Sequence, residues 1–119
     1  MNRQKRESHT ISQFNKLLVN RQRAVFLRLK GLLGHDVPVV GETAVTALGG
    51  FVRGERAAKE ILRSFQDPDE SVRHAAVFMI THLRYGPALE HVTRLPRDRS
   101  KRVREMARKA VIELSAECP

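Results

Sequence analysis

The residues best suited to chemistry in this chain are its five histidines, its single cysteine and a dense run of arginine and lysine. A zinc centre built on one helix needs two imidazoles about one turn apart. His9, His35, His74, His82 and His91 offer no such pair. The nearest approximation, His74 and His82, diverges by about 80° on a helical wheel. No metal and no cofactor are expected. The lone Cys118 can close no intrachain disulfide and no cysteine zinc site, and no neighbour activates it as a nucleophile. Neither a nucleophile-elbow serine motif, a phosphate loop nor a dinucleotide fingerprint occurs; Gly49-Gly50 sits inside a helical pattern and follows no strand. These residues read as a non-enzyme. The basic run Arg94, Arg97, Arg99, Lys101, Arg102, Arg104, Arg108 and Lys109 could contact phosphates, with Arg97, Arg99, Lys101 and Arg102 as the candidates for that role.

The elements that must position these groups repeat. Asp36, Asp67 and Asp98 stand thirty-one residues apart, and their surroundings keep register. Val72-Arg73 matches Val103-Arg104, with Gly41-Glu42 in the same place. Val45, Ala76 and Ala107 coincide, as do Leu48, Met79 and Ala110, and Val52, Leu83 and Leu114. A fixed period of this length signals stacked helix pairs, each unable to bury its apolar face alone.

Residues 1–9 read as a disordered basic arm. Thr10 with Gln13, or Ser12, can then cap a long helix whose apolar side is Phe14, Leu17, Leu18, Val25, Leu29, Leu32 and Leu33, ending at Gly34. Further helices are expected from Pro38 to about residue 53, Glu55 to Phe65, Pro68 to Tyr85, Pro87 to Leu95 and Arg99 to Ala116. Gly54, Gly86-Pro87 and Pro96 separate them. In the middle repeat Val72, Ala76, Met79, Ile80 and Leu83 form the inward stripe. The expectation is an all-α chain of three antiparallel pairs, spanning about 10–53, 54–85 and 86–117.

Composition agrees. Five Phe, one Tyr and no Trp in 119 residues suit a thin helical core better than a β-sandwich. The longest apolar run, AAVFMI at 75–80, is too short to span a bilayer. The start of the chain lacks the apolar stretch of a secretory signal, so a cytoplasmic protein is expected. Net charge is +9, concentrated at both ends, which favours acidic partners.

An Asp closing one loop, Val-Arg six residues later, then Ala and Leu at helical spacing resemble the HEAT repeat. The short period is similar to the compact HEAT-like repeats named after phycobilisome lyases. The resemblance is strong over 67–117, moderate over 36–66 and weak before Gly34. It implies a right-handed α-solenoid whose second helices line a concave face, and a role in binding other macromolecules. Asp67 and Asp98 then resemble the loop Asp that caps each second helix, and Arg73 and Arg104 the Arg that reaches an Asp of an adjacent repeat. Glu42 departs from this pattern. The repeated His-Glu pairs of iron-dependent hydroxylases with such repeats do not occur. The aromatic groove and catalytic Asp of HEAT-like DNA glycosylases have no counterpart either.

On the fourth helix the same wheel turns His74, Val77, Phe78, Thr81 and Tyr85 outward. Thr43, Thr46, Ala47 and Gly50 stand at or near the same wheel positions in repeat one, and Glu105, Arg108, Lys109 and Ile112 in repeat three. This makes a strip with an aromatic centre and a basic end, suited to anchoring an acidic protein partner. The expected partner-binding residues are therefore His74, Val77, Phe78, Thr81, Tyr85, Arg108, Lys109 and Ile112. Cover by the N-terminal segment or pairing with a second copy would be other uses of the strip. The alternatives in function are nucleic-acid binding through the basic ends and membership of a lyase or other enzyme complex.

Overall fold

The backbone turns left-handed at Gly34, φ +76°, and Gly54, φ +103°, a region that side chains with a Cβ disfavour, and also at Arg84. Between such breaks the computed structural model, which describes residues 3–51 and 54–116, is helical. The helices are α1 Arg3–Leu32, α2 Pro38–Phe51, α3 Glu55–Leu62, α4 Glu70–His82, α5 Leu89–Val92 and α6 Lys101–Ser115. Single 3-10 turns lie at Arg63–Gln66, Gly86–Ala88 and Leu95–Arg97, and no strand occurs among the described residues. Val52, Cys118 and the outer ends of the expected repeats lie outside these residues.

Each odd-numbered helix packs on the even-numbered one after it, and α2, α4 and α6 lie side by side with α4 in the middle. The result is a thin slab, 65 × 38 × 15 Å, lengthened by α1. Val45, Leu48, Ile61, Val72, Ala76, Ile80, Val103, Ala107, Ala110 and Leu114 are buried along the shared seam. Close approach of α4 to α2 depends on a missing side chain at Gly49, where an added Cβ would run into Met79; one on Gly41 would meet Cγ2 of Val72 at an ordinary 3.6 Å. Gly49 is therefore the point at which α4 rests on α2.

Several expectations are corrected. Residues 3–9 are helical rather than a disordered arm, and Thr10 serves no cap: its hydroxyl donates to the Arg6 carbonyl at 3.0 Å inside α1. The apolar side expected to face the core is mostly open. Phe26, absent from that set, is the one buried residue of α1, with the Arg56 guanidinium 4.7 Å above its ring. Leu29 and Leu33 pack beside it, while Phe14, Leu17, Leu18, Val25 and Leu32 remain exposed. The loop aspartates do not cap the helices directly. Asp69 is the cap of α4, accepting from the Ser71 and Val72 N–H groups, and Ser100 caps α6. Asp67 and Asp98 stand two residues earlier, where each carboxylate accepts the N–H two positions on at 2.9 Å. They fix the turn that delivers the chain to its cap.

Candidate functional site

The loop aspartates and the arginines six residues beyond them form one continuous bonding system. Arg73 Nη1 donates to the carbonyls of Asp67 and Pro68 at 2.8 and 3.0 Å. Its Nε and Nη2 grip the Asp98 carboxylate at 3.0 and 3.1 Å, a bidentate pair between the second and third helix pairs. Side-chain exposure is 5% for Arg73 and 10% for Asp98. Arg104 repeats the first half of this pattern, donating Nη1 to the Asp98 carbonyl at 2.8 Å. In the first pair Glu42 stands where the arginine would be, so among the described residues no equivalent clamp joins the first pair to Asp67. These residues set the geometry between pairs.

Burial alone raises the Asp98 carboxyl pKa, but the Ser100 N–H and the Arg73 guanidinium outweigh it and hold the group below 3.8. Stability from this pair is therefore complete above that value and lost as pH falls through the lower, folded pKa. Asp98→Asn should lower stability at neutral pH and flatten the acid limb of a stability–pH curve. Urea denaturation between about pH 6 and 2.5 measures both changes; an unaltered acid limb would show that Asp98 is not the linked group.

Because Arg73 points at the third pair, the residues one and two turns beyond it on α4 share its direction. Val77 is fully buried and Thr81 is 7% exposed, its hydroxyl donating to the Val77 carbonyl at 2.7 Å. Both were expected on the outward strip, and the structure removes them from it. Tyr85 leaves it too. Arg84 adopts a left-handed φ of 54°, which ends the helical path, and Tyr85 packs partly buried against the core.

What remains outward on α4 is His74, Phe78 and His82. Phe78 is 50% exposed, and its ring lies parallel to that of His82 with centroids 6.5 Å apart. His82 was not among the expected strip residues. Its i,i+4 spacing from Phe78 was the available signal. Burial lowers the pKa of His74, the charge of Arg102 lowers it further, and Glu42 partly opposes them. The neutral imidazole of His74 is thus favoured, with a guanidinium of α6 and a carboxylate of α2 acting on it in opposite senses.

On α6, Arg102, Arg108, Lys109 and Ile112 are all exposed, Ile112 by 74%. One period on from Phe78 is Lys109, which shares the outward face. Arg108 and Ile112 are one period on from the buried Val77 and Thr81, so they lie toward the open side of the slab. The expected strip thus divides into a central face and an edge. The expected phosphate-binding residues Arg97, Arg99, Lys101 and Arg102 are all exposed; Arg99 also reaches back to the Pro68 carbonyl at 3.1 Å, and Lys101 lies 3.9 Å from Glu105.

Among the described residues no three His, Cys, Asp or Glu side chains come together as a metal site, and no helix is long and apolar enough to cross a membrane. No protein-family model and no curated protein sequence matches this chain.

Proposed function

We propose that this chain is a non-catalytic binding module of the cytoplasm, a short right-handed solenoid of three HEAT-like pairs, that holds a protein partner across the outward face of α2, α4 and α6. The observation that carries this reading is Phe78: a large apolar ring half in solvent, on the central helix of the slab, stacked on His82. Its backbone is fixed by buried neighbours on both sides, Val77 and Met79, so the ring is presented on a rigid support. A rigid aromatic flanked by charge is the usual anchor of an interface. Arg102 and Lys109 form the basic rim and would meet acidic groups, while His74, Arg108 and Ile112 extend the surface toward its two sides. Thr43 and Thr46 supply the smooth end.

Binding partners captured from source-cell lysate at physiological salt, with and without nuclease, test the reading. A discrete protein should survive nuclease and be lost with Phe78→Ala, the anchor contributing about 2 kcal/mol or more. Capture that depends on nucleic acid and weakens steeply with salt would overturn it in favour of phosphate binding by Arg97 and Arg102.

A further inference from the structure

From Arg3 to Val25 every residue of α1 is exposed, so most of a 30-residue helix stands clear of the body. Only its last part is attached, through Phe26, Leu29 and Leu33 and through Lys30, whose Nζ lies 3.5 Å from Glu60. The free part is not uniformly polar. Ile11, Leu18, Val25 and Leu32 follow one another at intervals of seven, and Phe14, Arg21 and Arg28 stand three residues after the first three of them. Ile11 and Phe14 are each 61% exposed, and Leu18 and Val25 are each 43%.

A seven-residue interval is the spacing of a seam that packs against another helix. At 100° per residue the apolar members of this seam fall within about 60°; the other exposed apolar residues, Leu17, Val19 and Leu27, are scattered around the helix and do not widen it into the single broad face that a lipid surface wets. Arg21 and Arg28 occupy seam positions themselves. His9, Lys16, Arg23 and Lys30 line the opposite side, also at intervals of seven. The helix carries eight Lys and Arg against one acid, Glu7.

We propose that the free part of α1 is a docking helix for an acidic amphipathic helix of a partner protein, which lays apolar residues on Ile11, Phe14, Leu18 and Val25 and carboxylates on Arg21 and Arg28. Charge selects this occupant. A second copy aligned in parallel would set Arg21 against Arg21 and Arg28 against Arg28 in the seam itself. Either orientation of two copies would join helices that each carry eight bases and one acid. An acidic helix turns both arginines into charge-assisted hydrogen bonds. It also supplies what this segment lacks on its own, the tertiary packing from which most helices in proteins draw their stability.

The inference is independent of the face around Phe78, and its test separates the two. The full chain is titrated against a labelled synthetic helix of three heptads with Leu in the seam and Glu on both flanks, read by fluorescence anisotropy. Binding in the micromolar range is expected, weakening roughly tenfold or more with Arg21→Glu plus Arg28→Glu. Leu18→Asp should abolish it, and Phe78→Ala should leave it unchanged. Hydrogen exchange of residues 3–25 should slow when the peptide is bound. Leu18 and Arg21 lie on the part that does not touch the body, and Arg28 is exposed just beyond it, so the body's thermal transition serves as the folding control.

Three results would overturn the proposal. One is equal binding of a peptide with Lys in place of Glu. Another is binding to vesicles of phosphatidylcholine with a minority of phosphatidylglycerol while the peptide fails to bind. The third is concentration-dependent dimerisation of the chain alone that Leu18→Asp abolishes, which would make the occupant a second copy.

Discussion

Arg73→Ala is expected to destabilise the protein by about 3–5 kcal/mol, the cost of breaking a buried ion pair by removing one partner. The substitution strands the Asp98 carboxylate at 10% exposure and frees the carbonyls of Asp67 and Pro68, which Arg73 Nη1 now satisfies. Arg104→Ala is the internal contrast. It occupies the equivalent place one period later, but among the described residues its side chain bonds to the Asp98 carbonyl and to no carboxylate. Its loss should cost no more than about 1 kcal/mol. Urea denaturation of the two variants side by side measures the difference. Equal effects would mean that the Arg73–Asp98 grip contributes nothing beyond an ordinary surface contact. Arg73→Lys should recover only part of the loss, because an ammonium cannot reproduce the two parallel bonds of the guanidinium fork.

The second large effect concerns two adjacent glycines that should respond in opposite directions. On Gly49 a Cβ would overlap the Cε of Met79 and approach its Cβ to 3.2 Å. Gly49→Val should therefore force α2 and α4 apart, at about 1–3 kcal/mol for overpacking. Around Gly50 nothing lies within 4 Å of an added Cβ, so Gly50→Ala should stabilise by up to about 1 kcal/mol through helix propensity alone. Combining Gly49→Val with Met79→Ala tests the mechanism, since the smaller side chain vacates the space that valine needs. The double variant should be less destabilised than the sum of the single ones by about 1 kcal/mol or more. Strict additivity would show that the two residues do not compete for that space.

The glycines also show where local sequence rules run out. Read along the chain, Gly49-Gly50 is a weak point in a helix. Across the interface, Gly49 is a contact that a residue with a side chain could make only if Met79 gave way, and Gly50 is merely exposed. Nothing in the local sequence separates the two, because the distinction belongs to the neighbour. The candidate face was legible in the same partial way. Phe78 and Lys109 stand where the wheel put them, whereas Val77, Thr81 and Tyr85 do not. A wheel divides a helix into an inner and an outer half. A helix flanked on both sides, as α4 is by α2 and α6, keeps only a narrow outward arc.

The order of the helices, the breaks at Gly34 and Gly54, the thirty-one-residue register and the all-α class were determined by the sequence itself. These follow from periodicity and from backbone preferences that act within a few residues. The tertiary structure alone decided which aspartate caps and which one turns the chain, that Arg73 closes on Asp98 while Arg104 meets no carboxylate among the described residues, and that the apolar side of α1 faces outward. An apolar stripe encodes the need to be covered and does not name the cover. In α4 the cover comes from the same chain, whereas α1 extends beyond the body that could have provided it.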